Sequence, residues 1–104
     1  MEIIAFKMKL YPGFKEEYRR RHAEIWPDLK QLLKEYGISD YSIFLDEETD
    51  VLFAVQKLDD TETRIDLRNH PVMKQWWDYM ADIMEVNSDN SPVVTPLQQI
   101  FYME

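Results

Sequence analysis

Cysteine is absent from this chain of 104 residues, and glycine nearly so, with Gly13 and Gly37 its only two. Without cysteine there is no disulfide framework, no thiolate nucleophile and no zinc–thiolate site. The absence also fits a reducing compartment. Two isolated glycines cannot build the glycine-rich loops that cradle phosphates or dinucleotides. Histidine occurs only as His22 and His70, without the helical HExxH spacing, which argues against a zinc site. Long apolar runs are missing too: the longest is Val51–Val55, against the ~20 residues a membrane span needs. Basic residues are the minority, 12 against 20 acidic, and the net charge of −8 repels nucleic acid and anionic lipid. The opening Met1-Glu2-Ile3-Ile4-Ala5-Phe6-Lys7 carries no basic leader. These features lead us to expect a cytoplasmic protein with neither membrane nor nucleic acid as partner.

What is present is ample material for a core. Hydrophobic residues make up 45% of the chain and aromatics 13%, and a single domain over 1–104 buries roughly 60–70% of its unfolded surface. Ile4, Phe6, Met8 and Leu10 alternate with Ala5, Lys7 and Lys9, the period of a strand. After Tyr11-Pro12-Gly13 the pattern predicts a helix from about Phe14 to Tyr36, kinked or broken at Pro27 and ended by Gly37. Ile38–Leu45 and Val51–Leu58 read as an antiparallel hairpin, with Tyr41, Ile43 and Leu45 on one face of the first strand. The polar Asp46–Asp50 between them is an exposed turn, lacking the glycine of a calcium loop. A short helix over about Thr61–Asn69, a second from Pro71 to about Met84, a turn-rich loop over Asn87–Pro96 and a final strand over about Leu97–Met103 complete the series. The order β-α-β-β-α-β predicts an α+β, ferredoxin-like fold. Both helices then lie on one face of the sheet. The strands hold more apolar residues than that face needs, so a second copy is expected to cover the other.

One stretch is out of character. Phe14, Tyr18, Ile25, Leu29, Leu32, Leu33 and Tyr36 form an apolar helical stripe, and His22 falls inside it, four residues after Tyr18. Residues at that spacing share a face. An imidazole, whose free pKa is about 6.5, is thus turned inward beside a phenol. A core histidine with satisfied nitrogens is the plain alternative. Trp76 and Trp77 lie on the Pro71 helix, where consecutive residues diverge by about 100°. Trp76 suits core packing, whereas Trp77 at the stripe's edge asks for a partner such as a ligand. His70, just before Pro71, reads as a helix-start residue. Arg19-Arg20-Arg21, trailing Glu16 and Glu17, reads as a solvated face with ion pairs. Asn87, Asp89, Asn90 and Ser91 suit either turn formation or bonding to a polar ligand. The break at Pro27 frees the Ala23 carbonyl, which stands one residue from His22 and offers a way to orient the imidazole.

Glu17-Tyr18-Arg19-Arg20-Arg21-His22 leading into Ile25-Trp26-Pro27, Tyr41 in Asp40-Tyr41-Ser42-Ile43-Phe44-Leu45-Asp46, the pair Trp76-Trp77, and Asn87-Ser88-Asp89-Asn90-Ser91-Pro92 together resemble the L-rhamnose mutarotase family over essentially the whole chain. Ser88 departs from the pattern, where proline is expected. The resemblance implies a dimeric α/β barrel that needs no cofactor or metal and acts on L-rhamnose. It implies His22 as proton donor, and Tyr18, Tyr41, Trp76 and Trp77 as sugar contacts. The chemistry is consistent with those residue types. Opening a pyranose ring requires a proton at the ring oxygen and removal of one from the anomeric hydroxyl, and histidine both gives and takes protons near neutrality. Aromatic rings cover the apolar C–H faces of a sugar, while phenol and indole groups bond its edges. Two rivals remain: a cofactor-free monooxygenase on the same barrel, and a non-catalytic dimeric module that binds a small ligand.

Overall fold

The computed structural model describes residues 2–59 and 67–104. In chain order these form β1 (Glu2–Lys9), α1 (Lys15–Ala23), α2 (Pro27–Glu35), β2 (Ile38–Asp46), β3 (Val51–Leu58), α3 (Pro71–Met80) and β4 (Thr95–Leu97). The sheet is antiparallel in the order β2-β3-β1-β4. This is the split arrangement expected of a ferredoxin-like unit. The expected helix over Thr61–Asn69 lies mostly outside the described residues, of which 67–69 form one 3-10 turn. No helix among the described residues is long and apolar enough to cross a membrane.

The core fills the space between the sheet and the helices. Met8 and Leu10 from β1 and its extension meet Leu52 and Ala54 of β3, beneath Leu29, Trp76 and Met80 of the helices. The predicted helix break is real: Pro27 occupies the first turn of α2, where a missing N–H costs nothing, and Trp26 before it is extended. Gly37 follows α2 with φ +79°, a conformation open to glycine. His70 caps α3, its Nδ1 accepting the Val72 N–H at 3.2 Å. The 46–50 segment forms the turn joining β2 and β3, tied to the start of α1 by the Lys15–Glu47 ion pair.

Two expectations need correction. α3 ends at Met80 rather than Met84, because the chain beyond it is recruited by β1. Tyr11 N–H bonds the Ile83 carbonyl and Glu85 N–H the Lys9 carbonyl, each at 2.9 Å, and Leu10 pairs with Met84. β4 spans Thr95–Leu97, not Leu97–Met103. It pairs Ala5 with Leu97, and in that register Glu2, the first residue of β1, would face Ile100. Among the described residues Phe101–Met103 therefore have no strand partner in that register, and residues 98–104 are exposed. β2 brings Tyr41, Ile43 and Leu45 to the hollow side as expected, and adds a slip in pairing between Ser39 and Ser42, where Asp40 takes φ +46°. Such a bulge re-aims the neighbouring side chains.

Candidate active site

The break in the long helix leaves α1 short, and His22 stands in its last turn. Its Nδ1 lies 3.0 Å from the Tyr18 carbonyl one turn earlier. A carbonyl only accepts, so Nδ1 carries the hydrogen and Nε2 of the neutral ring bears the lone pair. The Tyr18 carbonyl, rather than that of Ala23, therefore orients the imidazole. Aromatic rings hold it on two sides. The Tyr18 phenol stacks on it with centroids 4.3 Å apart at 25°, and Trp76 meets it edge-on at 5.4 Å and 88°. Trp26 in turn packs edge-on against Trp76 at 5.1 Å and stacks with Tyr79 at 5.6 Å.

All five residues singled out in the sequence come together. Tyr18, His22, Tyr41, Trp76 and Trp77 border a small hollow of about 70 Å3, and the same five line an adjoining hollow of about 900 Å3 between helices and sheet. Trp76 is buried and Trp77 half-buried, as their different angles on α3 require. Tyr41 reaches the hollow from β2, just past the bulged Asp40.

Burial sets the proton chemistry. Loss of hydration pushes the His22 pKa below the ordinary 6.5, and the bond to the Tyr18 carbonyl opposes the shift without reversing it. Desolvation raises the Tyr18 phenol far above its usual range, with the nearby Tyr41 adding to the effect. Tyr41 keeps 39% of its surface in solvent, but its hydroxyl end lies inward, where burial raises its pKa and a bond with Gln56 pulls the other way. At neutral pH the hollow thus holds a neutral imidazole, able to take a proton, beside phenols that keep theirs.

Two contributors were not found from sequence. Arg21 was placed with its neighbours on a solvated face, and Arg19 and Arg20 do lie there, but Arg21 is 8% exposed. Its guanidinium bonds Glu17 Oε2 at 2.7 Å, Asp82 Oδ1 at 2.9 Å and the Tyr79 carbonyl at 2.7 Å, and lies 4.5 Å over the Tyr79 ring. That carbonyl is one the end of α3 leaves unpaired, so Arg21 fastens the end of α1 that carries His22 to α3. The Arg20 guanidinium, with that of Arg21 second, holds the Glu17 pKa down to about 2. The signal existed: Phe14, Tyr18, Arg21 and Ile25 keep helical spacing, so Arg21 shares the inner side. Trp26, quoted only as part of a motif, supports Trp76 from behind.

An oriented imidazole in an aromatic-walled hollow between sheet and helices is an arrangement that can exchange protons with a bound molecule, as in a small α+β enzyme of acid–base type. The L-rhamnose mutarotase family model matches residues 3–103, and the chain belongs to that family. Among its relatives, an L-rhamnose mutarotase of Formosa agariphila is 59% identical and one of Bacteroides thetaiotaomicron 57%, each aligned over all of both chains. The crystal structure of an L-rhamnose mutarotase from Formosa agariphila superposes with a TM-score of 0.94 at 58% identity, again covering both chains fully.

Proposed function

We propose that this enzyme interconverts the α and β anomers of L-rhamnose through the open-chain aldehyde, with His22 moving the proton. The observation that carries the reading is the fixed imidazole: Nδ1–H tied to the Tyr18 carbonyl, Nε2 left free, and pKa lowered by burial. Nε2 takes the proton of the anomeric hydroxyl as the C1–O5 bond breaks and the C1 carbonyl forms. The imidazolium then donates that proton to O5, which shares C1 with the hydroxyl oxygen and so lies within reach of the same nitrogen. Rotation about C1–C2 presents the other face of the carbonyl, and the steps run backwards. The balance closes without electron transfer or a covalent intermediate. His22 is thereby a base first and the proton donor second. Tyr18 and Tyr41, their phenols kept protonated, bond the sugar's oxygens. Trp76 and Trp77 cover its C–H faces and the C6 methyl.

The outer face of the sheet supports a homodimeric barrel as the working form. Ile3, Phe44, Phe53 and Leu97 stand exposed there, and Ile100, Phe101 and Met103 of the tail are each more than three-quarters exposed. A second copy of the chain supplies the cover these groups lack. Catalysis is tested by saturation transfer between the two anomeric protons of L-rhamnose in an NMR tube. Exchange faster than in buffer is the expected result; a rate equal to buffer's would overturn the assignment.

A further inference from the structure

The loop that follows α3 closes on itself with unusual completeness. Val86 pairs with Pro92, and Asn87 N–H bonds the Ser91 carbonyl at 2.7 Å. Asn87 Nδ2 donates to Ser91 Oγ at 3.0 Å, and Asp89 Oδ1 accepts both the Ser91 N–H and its hydroxyl. At its apex Asn90 has φ +68°, and its N–H returns to the Asn87 carbonyl at 2.9 Å. Its side chain is also fixed, Nδ2 donating to Asp78 Oδ1 of α3 at 2.9 Å. A carboxylate only accepts, so the amide cannot be turned the other way, and Oδ1 is the end left without a partner in that pair.

Asn90 borders the same small hollow as His22, Tyr41 and Trp77. Among the described residues around that hollow it is the one side-chain amide. Side-chain acceptors in the hollow are few. Indole N–H groups only donate, each phenol hydroxyl accepts as well as donates, and His22 Nε2 is committed to the anomeric centre, so the Asn90 amide oxygen is the acceptor added to those of Tyr18 and Tyr41. A pyranose brings several hydroxyls that must donate to something once they leave water.

Resting on the mutarotase reading, we infer that Asn90 is a substrate-binding residue whose Oδ1 accepts a hydrogen bond from a sugar hydroxyl other than the anomeric one. Asp78 acts through it as a positioning residue, holding the amide so that oxygen, not nitrogen, faces the sugar. The loop is therefore a specificity element: it reads the presence of one hydroxyl, whereas the indoles of Trp76 and Trp77 read only the ring and methyl.

The test compares wild type with Asn90→Gly, which removes the amide yet tolerates the positive φ, and with Asp78→Ala, each checked for folding by circular dichroism. Anomer exchange is followed over a range of L-rhamnose concentrations, and again with the 2-, 3- and 4-deoxy sugars. Asn90→Gly should raise KM for L-rhamnose about three- to tenfold, the size of one neutral hydrogen bond, with kcat changed less. Asp78→Ala should do the same more weakly. For one of the three deoxy sugars the penalty should vanish, because the wild type has already lost that bond. An unchanged KM in Asn90→Gly, or an equal penalty on every deoxy sugar, would overturn the inference while leaving mutarotation by the wild type intact. Wild-type exchange no faster than buffer would instead defeat the functional reading, and this residue's role with it.

Discussion

On the helix side of the sheet, Met8, Leu10, Leu52 and Ala54 lie almost wholly out of solvent beneath α1, α2 and α3. On the opposite side Phe44 is 64% exposed, next to Phe53 across the β2–β3 pairing. One chain covers the first face, the hollow apart, and leaves the second open. The difference separates two tasks. A packed face around a hollow can hold an imidazole in one orientation. An apolar face without cover can do little except bind another surface. Chemistry should therefore be damaged by changes on the inner side and be indifferent to those on the outer side, and assembly the reverse.

The largest effect expected is at His22. His22→Ala should slow anomer exchange by about 10²–10⁴-fold, the usual share of positioned proton transfer, while circular dichroism stays that of the wild type. Retained activity would remove the imidazole from the mechanism. The pH profile sharpens the point. With its pKa depressed, His22 stays neutral as pH falls through the ordinary 6.5, so activity should persist below that value and decline only at more acid pH. Stability follows the same sign. The unfolded chain binds the extra proton first, so the contribution from keeping His22 neutral is whole above pH 6.5 and lost as pH drops toward the folded pKa. A rate that collapses already above neutrality would contradict a desolvated imidazole.

Ile83→Ala comes next. Ile83 has no exposed surface, and it lies where the end of α3 meets the chain after β1. Removing its side chain should cost about 2–5 kcal/mol in denaturant unfolding. A loss under 1 kcal/mol would mean that this junction repacks freely.

Arg21→Met should fall below both, at about 1–3 kcal/mol. Arg21 itself is 8% exposed, but Asp82 is 66% exposed and Glu17 33%, so solvent screens the pairs and accepts the orphaned carboxylates. What the substitution should also disturb is the seating of α1 on α3, visible as a lower kcat with His22 present. A stable variant of unchanged kcat would make Arg21 a local ion pair and nothing more.

How far the sequence foretold these features depends on whether their causes are local. The break at Pro27, the stop at Gly37 and the cap at His70 follow from single residues and their own backbone preferences, and each is where the pattern puts it. His22 beside Tyr18, and Trp77 at the edge of its helix, stood out because they break the rule of an apolar stripe, whereas Tyr41 on its strand and Trp76 in its core position were raised only by the family resemblance. The bulge at Asp40, the early end of α3 and the brevity of β4 have no local cause. Each depends on which strand lies alongside and where that strand runs out. Arg21 was misplaced because adjacent arginines look alike in sequence, whereas the helix turns each about 100° from the last.

The smallest effect on a single chain should come from the outer face, and it is the one that decides whether the two faces differ in task. Phe44, the neighbour of Phe53 across β2 and β3, is 64% exposed, so replacing it with serine removes little buried area within one chain. Unfolding at high dilution should change by under about 0.5 kcal/mol, as for ordinary surface positions. If a second copy covers that face, the consequence appears elsewhere. The wild type should show twice the single-chain mass by light scattering at micromolar concentration and a melting temperature that rises with protein concentration, since association stabilises by mass action. Phe44→Ser should weaken both properties. A wild type of single-chain mass would leave the open face without a partner and break the comparison, whereas a variant paired as strongly as the wild type would move the interface to the exposed tail at Ile100–Met103.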